Sequence, residues 1–300
     1  MKIIASYHTT LLCRAKPKET TQALRWIRLL MGLVILTLSM AGCGSQGPSA
    51  PGEPQSAQPL ASGKLLVFAA ASLTESFEEI GQAFESEHPG VEISLNLASS
   101  QQLAQQLAQG APADVFASAN TKEMVNAIAS NRVAEGSQRT FAHNKLVVIF
   151  PKDNPAGLET LQDLAQPGLK LVLAAKEVPV GKYSLEFLDK ASQDPAFGAT
   201  FKDDVLRNIV SYEDTVKSVL TKVVLGEGDA GIVYLTDISL DNADKVGRID
   251  IPEALNTVAT YPIAPVSDAP QPEWAEAFVN WVLSPRGQEI LAKYGFSPAE

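Results

Sequence analysis

Hydroxyl-bearing residues recur in this sequence where a strand should give way to a helix. Ser72 follows three alanines in VFAAASLTESF, Ser99 and Ser100 follow Leu97-Ala98, Thr215 ends Ser211-Tyr212-Glu213-Asp214-Thr215, and Tyr234 closes GIVY. Hydroxyls at such junctions could cap a helix by accepting from its first N–H groups, or attack as nucleophiles if a base stands nearby. They could also donate hydrogen bonds to an anion seated at the helix start, where the backbone amides point outwards. Ser72 and Glu75 have the spacing of a capping box, so Ser72 either caps its own helix or turns towards a ligand. In the Ser99–Ser100 pair, one serine can cap while the other faces the crevice. Glu177-Val178-Pro179-Val180-Gly181 offers only backbone N–H groups: Pro179 sets an extended entry, and Gly181 allows a close backbone approach. Glu213 and Asp214 suit the positive end of a helix. Tyr234 ends its strand with a phenol that either packs half-buried or donates a hydrogen bond.

These junctions need a scaffold that brings strand ends together. From residue 64 onwards, short apolar runs alternate with amphipathic stretches of helical length. Strands are expected at 65–70, 91–97 and 114–119, with helices at 73–84, 101–109 and 121–130 between and after them. A second set follows, with strands at 145–150, 169–175 and 230–233 and helices at 181–191 and 214–225. The chain then continues through an extended stretch at 258–266 and closes with helices near 273–283 and 286–293. This order predicts an α/β fold of two lobes, each with a mostly parallel sheet. In such sheets, ligands lie outside the carboxyl ends of the strands, where the serines stand.

Composition narrows the chemistry. The chain has 300 residues, of which 45% are hydrophobic and 19% charged, enough for an ample core. A net charge of −10 argues against nucleic-acid binding, which needs a basic face to neutralise phosphates. Two cysteines and three histidines exclude a cysteine-rich zinc module or disulfide scaffold. His88, beside Pro89-Gly90, and His143 stand away from the junctions, and there is no G-x-S-x-G elbow, so a serine hydrolase has the least support. No catalytic residue is assigned.

The charge is unevenly spread. Lys2, Arg14, Lys16, Lys18, Arg25 and Arg28 against Glu19 give residues 1–42 a charge of +5, so the chain's −10 leaves about −15 for the remainder. The basic stretch runs into LLMGLVILTLSM, too short for a membrane span, which needs about 20 residues, but suited to a secretory signal. The following Met40-Ala41-Gly42-Cys43 resembles the lipobox of bacterial lipoproteins, with Met40 where leucine is usual. That resemblance implies a signal peptide at 1–42 and a lipid on Cys43. Residues 43–62, rich in Gly, Pro and Ser, read as a flexible tether.

VFAAASLTESF, LNLASSQQLAQQL, GAPADVFASAN, EVPVGKYS, YEDTV and GIVY occur in the order and spacing of the periplasmic molybdate-binding proteins of ABC transporters, and Lys293-Tyr294-Gly295-Phe296 fits the same pattern. The resemblance covers about residues 64–297. It implies a type II periplasmic binding protein with a hinge of crossing strands, one lobe being 63–143 plus 262–300 and the other 144–261. It implies molybdate or tungstate held by Ser72 and Ser100, by the backbone N–H groups of Val180 and Thr215, and by the Tyr234 hydroxyl. Many relatives have alanine where Val180 stands and valine where Thr215 stands. No cofactor is implied, nor any direct cation ligand. Some related binders recruit carboxylates, for which Glu213 and Asp214 are the candidates, but Tyr234 and the VPVG turn favour the four-coordinate mode. The implied partners are an ABC transporter permease and, through Cys43, the membrane. The expected form is a monomer, lipid-anchored at the cell membrane and facing the periplasm or cell exterior. A binding protein for another tetrahedral oxyanion such as sulfate, or an oxyanion sensor module, is the alternative.

Overall fold

The computed structural model describes residues 62–238 and 242–299. The expected leader at 1–42, Cys43 and the tether as far as residue 61 lie outside the described residues.

The chain opens with β1 (Gly63–Ala70), whose residues from Val67 onwards are all buried. There follow α1 (Thr74–Glu87), β2 (Val91–Ala98), α2 (Ser100–Ala108), β3 (Val115–Ala117) and α3 (Thr121–Ala129). β1 lies parallel to β2, from Gly63 opposite Val91 to Ala70 opposite Ala98, and parallel to β3 on its other side. Next, β4 (Arg139–Asn144) leads through the single residue Lys145 into β5 (Leu146–Pro151), which belongs to a second sheet. That sheet is completed by β6 (Leu171–Ala174), α4 (Pro179–Gln193), α5 (Phe201–Arg207), β7 (Ile209–Glu213), α6 (Val216–Val224), β8 (Ala230–Tyr234) and β9 (Val246–Asp250). β10 (Ala259–Pro265) then returns to the first sheet, and α7 (Pro272–Val282), α8 (Pro285–Lys293) and β11 (Ser297–Pro298) close the chain.

The strand orders are β11-β4-β10-β3-β1-β2 and β7-β6-β8-β5-β9. The expectation of mostly parallel sheets holds for only part of each. β1, β2 and β3 run parallel, as do β7, β6 and β8, and helices carry these crossovers. The strands that enter and leave each sheet at the crossings, β4, β5 and β10, pair antiparallel with their neighbours. Parallel neighbours need a long crossover, whereas strands that merely pass between sheets do not.

Amphipathic spacing docks the helices. α6 buries Val216, Val219, Leu220 and Val223, the i, i+3, i+4, i+7 stripe of a one-faced helix. α4 starts two residues earlier than its apolar pattern suggests, with Pro179 at a first-turn position where the missing N–H costs nothing. Its start is pressed onto the end of β6: a Cβ on Gly181 would lie 2.1 Å from the Ala175 carbonyl oxygen. The close approach that Gly181 permits is therefore to the protein's own backbone.

Two asparagines tie the crossings. Asn256 accepts from the Leu146 N–H through Oδ1 (3.0 Å) and donates to the Leu146 carbonyl through Nδ2 (2.8 Å), so it stitches the two connecting segments together. Asn144, at the end of β4, accepts from the Lys145 N–H (2.9 Å).

The return segment docks through aromatic rings. Phe84 of α1 lies 5.3 Å from Phe278 of α7 at 74° and 6.0 Å from Trp274, and Phe77 lies 6.2 Å from Phe278, all edge-on geometries that suit ring quadrupoles. Asp114 fixes the neighbouring turn by accepting from the Leu66 and Gln271 N–H groups, each at 2.7 Å. Phe278 has no exposed surface. Phe278→Ala is therefore expected to cost about 3–5 kcal/mol in urea unfolding, and a loss below about 1 kcal/mol would show that the return segment is not held by this cluster.

Candidate functional site

The segments that follow β1, β2, β3, β6 and β7 meet the end of β8 around one cavity of ≈ 10 Å³. That is about the room one water needs, far below the usual 300–1,000 Å³ of pockets for drug-sized molecules. From the first sheet it is lined by Ala70, Ala71, Ser72, Ser99, Ser100 and Ala119, and from the second by Val178, Pro179, Val180, Val216 and Tyr234. Among the described residues that line it, none is charged.

Each hydroxyl is placed by local structure. After β1 the chain makes a 3₁₀ turn, Ala71–Leu73, before α1 begins, with Leu73 at its N-cap. The capping-box reading of Ser72 and Glu75 is thereby corrected, because the extra turn takes Ser72 off the cap and faces its hydroxyl inwards. Ser72 Oγ lies 2.9 Å from the Tyr261 hydroxyl. Ser99 takes the N-cap of α2, and Gln102 Oε1 accepts its N–H at 3.4 Å. Ser100, one residue on, lines the cavity. Its Oγ accepts from the Ala119 N–H at 2.9 Å, and since an amide can only donate, the serine's own hydrogen is left to point into the cavity.

Tyr234 is 1% exposed, and among the described residues its hydroxyl has no hydrogen-bond partner. Burial raises its pKa well above the ordinary phenol value, with Tyr261, Tyr183 and Asp237 adding to the effect, so it remains a donor at any physiological pH. A buried phenol without a partner is costly, and an acceptor in the cavity would satisfy it.

The backbone contributes as well. α2, α4 and α6 all start at the cavity, and first-turn N–H groups have no acceptor inside their own helix. Of the five residues read from the sequence, Ser72, Ser100, Val180 and Tyr234 line the cavity together. Thr215 does not: it is the N-cap of α6, its Oγ1 accepting from the Ser218 N–H at 3.2 Å, and the next residue, Val216, takes the lining position. α6 begins at Val216, and its buried face, Val216, Val219, Leu220 and Val223, starts there. Glu213 and Asp214 are also away from the cavity. Glu213 is engaged by Lys222 at 2.7 Å and by the Ser211 hydroxyl, and despite partial burial these partners hold its pKa below the ordinary carboxylate value. His88 stacks on Phe84 and Trp274.

One cation stands next to the lining. Lys217, directly after Val216, places Nζ 2.8 and 2.7 Å from the two Glu75 carboxylate oxygens and 3.3 Å from Asp237 Oδ1. Burial works against the ammonium, but the two carboxylates outweigh it and hold its pKa above the ordinary lysine value. The Glu75 contact joins α1, beside the first sheet, to α6, beside the second. Asp237 is fully buried, and burial pushes its pKa up to about 6 even though Lys217 and the Tyr234 N–H oppose this. The folded protein thus binds this proton more tightly than the unfolded chain. The resulting stabilisation is present below about pH 4 and is lost as pH rises through about 6. Compared with Asp237→Asn, the unmodified protein should lose stability across that window in urea titrations at successive pH values; a constant difference would show that Asp237 does not titrate there.

The sequence profile of the bacterial extracellular solute-binding protein family matches residues 65–297. A molybdate-binding protein named ModA from Mycobacterium bovis is 38% identical over 278 residues, which cover 91% of this chain and 99% of that protein. Among solved structures, the Azotobacter vinelandii periplasmic molybdate-binding protein superposes with a TM-score of 0.68 at 20% identity, covering 79% of this chain and 100% of that one. The Mycobacterium tuberculosis sulfate-binding protein SubI superposes with a TM-score of 0.70 at 19% identity, covering 79% and 87%. Likeness at that identity speaks for the fold, which is shared by proteins named for different anions. The extent of the profile match and the identity to the mycobacterial protein together place this chain in the bacterial extracellular solute-binding protein family, as a homologue of the molybdate-binding protein ModA.

Proposed function

We propose that this chain captures molybdate or tungstate between its two halves, as two lobes spanning 63–143 with 262–300 and 144–261, and delivers it to an ABC transporter permease. The observation that carries the reading is the buried, unpartnered Tyr234 hydroxyl facing two serine hydroxyls in a small cavity without charged lining. A fully ionised tetrahedral oxyanion has acceptors on every side and no hydrogen of its own to place. The identity to ModA proteins over nearly the whole chain supports molybdate as the anion.

The energetics suit a binding and release role. Hydrogen bonds to charged groups contribute about 1.5–3 kcal/mol each, so five donors give about 8–15 kcal/mol gross. Micromolar to nanomolar affinity corresponds to about 8–12 kcal/mol. With a remainder near −15 outside residues 1–42, net charge does not draw the anion in; local dipoles must hold it. Ser72, Ser100, the Val180 amide and Tyr234 are the proposed contacts, with Thr215 or its cavity-lining neighbour Val216 supplying the amide from α6.

The relatives are solute-binding proteins rather than enzymes, and we assign no catalytic residue and no cofactor. We place the protein outside the cytoplasm, as a monomer held at the membrane by lipid on Cys43. A Cys43→Ser variant should then move from the membrane to the soluble fraction, and persistence in the membrane would remove the anchor.

Titration calorimetry with molybdate, tungstate, sulfate and phosphate tests the ligand. Tight binding of the first two is expected, and preference for sulfate would replace molybdate in this reading. Ser100→Ala should weaken molybdate binding on the order of 10- to 100-fold without altering the thermal transition; unchanged affinity would take Ser100 out of the site.

A further inference from the structure

We propose that Tyr261 and Asn144, neither of which lines the cavity, are positioning residues that turn the Ser72 hydroxyl into an obligatory donor and so select for fully deprotonated oxyanions. The inference rests on the reading of the cavity as an oxyanion site and adds the means by which it discriminates between oxyanions.

The direction of the first link follows from chemistry, and the proposal assigns the second. Asn144 Oδ1 accepts from the Lys145 N–H at 2.9 Å. A backbone amide can only donate, so this contact fixes which end of the side-chain amide is oxygen. Nδ2 must then face the other way, where it lies 2.7 Å from Thr236 Oγ1 and 3.3 Å from the Tyr261 hydroxyl oxygen. Tyr261 therefore accepts from Asn144. In the 2.9 Å contact between Tyr261 and Ser72 either hydroxyl can donate; the proposal gives the Tyr261 hydrogen to Ser72 Oγ. Ser72 accepts in turn, and the hydrogen left to it is directed at the cavity. The three links form one donor chain, each polarising the next.

The surroundings hold the chain in place. Tyr261 is completely buried, with Phe296, Tyr234 and Phe141 at ring-centroid distances of 5.4, 5.9 and 6.2 Å. Ser100 reaches the same state through the Ala119 amide. With each serine oxygen already accepting one hydrogen bond and its hydrogen turned to the cavity, an O–H of hydrogen phosphate has only the remaining serine lone pairs to compete for, whereas molybdate and sulfate bring no O–H. Discrimination of this kind needs no difference in ionic radius.

Tyr261→Phe keeps the ring and leaves Asn144 Nδ2 its Thr236 partner, so the fold and thermal transition should be retained. The variant frees Ser72 Oγ to accept or donate. Calorimetry on wild type, Tyr261→Phe, Ser72→Ala and the double variant, with molybdate, sulfate and hydrogen phosphate at neutral pH, tests the assignment. Tyr261→Phe is expected to lose about 3- to 10-fold in molybdate affinity and to narrow the preference for molybdate over hydrogen phosphate by at least that factor. In the Ser72→Ala background it should have no further effect, because Tyr261 acts through that hydroxyl. Additive losses in the double variant, or an unchanged preference against hydrogen phosphate, would overturn the positioning role. A wild type that binds sulfate but not molybdate would overturn the assigned ligand alone, and the same cycle read with sulfate then decides the role of Tyr261. A wild type that binds none of the three overturns both.

Discussion

A doubly charged anion held in this cavity, as proposed, would touch no cation, and that constrains everything around it. Neutral donors can replace water around such an ion only if their hydrogens already point at it, because reorienting them on binding would consume much of what they contribute. The Ser100 oxygen is therefore occupied by the Ala119 amide, and Tyr234 is kept protonated in an apolar surround. The only neighbouring ammonium, among the described residues within one position of the lining, is drawn away by Glu75 and Asp237.

The architecture meets this requirement by ending several strands at one place. Helices that begin just beyond β2, β6 and β7 direct their unsatisfied amides inwards. Alanines at 70, 71 and 119 leave room for the backbone to approach. Residues far apart in sequence converge because the chain passes between the sheets twice, so that Ser72 and Tyr261, 189 positions apart, form one hydrogen bond.

Much of this was legible in the sequence. The alternation of apolar runs and amphipathic stretches located β1 to β3 and their helices, because strong periodicity reflects burial directly. Four of the five expected contact residues line a common cavity. The fifth, Thr215, stands one residue before the lining: the motif leaves the start of its helix open by one residue, and the burial of Val216, Val219 and Val223 on one face places that start at Val216. Ser72 had the spacing of a cap, yet a 3₁₀ turn, which leaves no periodic trace, rotated it into the cavity. β4, β7 and β9 were not anticipated, since Arg139–Asn144, Ile209–Glu213 and Val246–Asp250 are short and polar, and their pairing is set by neighbours distant in the chain. Tyr261 and Asn144 gave no local signal, because their importance lies in hydrogen bonds across more than a hundred residues of sequence.

The stitch made by Asn256 has a mechanical meaning. By bonding both the N–H and the carbonyl of Leu146, it ties the two connecting segments to each other. In the proposed two-lobed reading, a rotation of one half against the other would be centred on that knot. Asn144, Tyr261 and Ser72 connect it to the proposed seat of the anion, so a given angle of opening would displace that seat less than the outer lips.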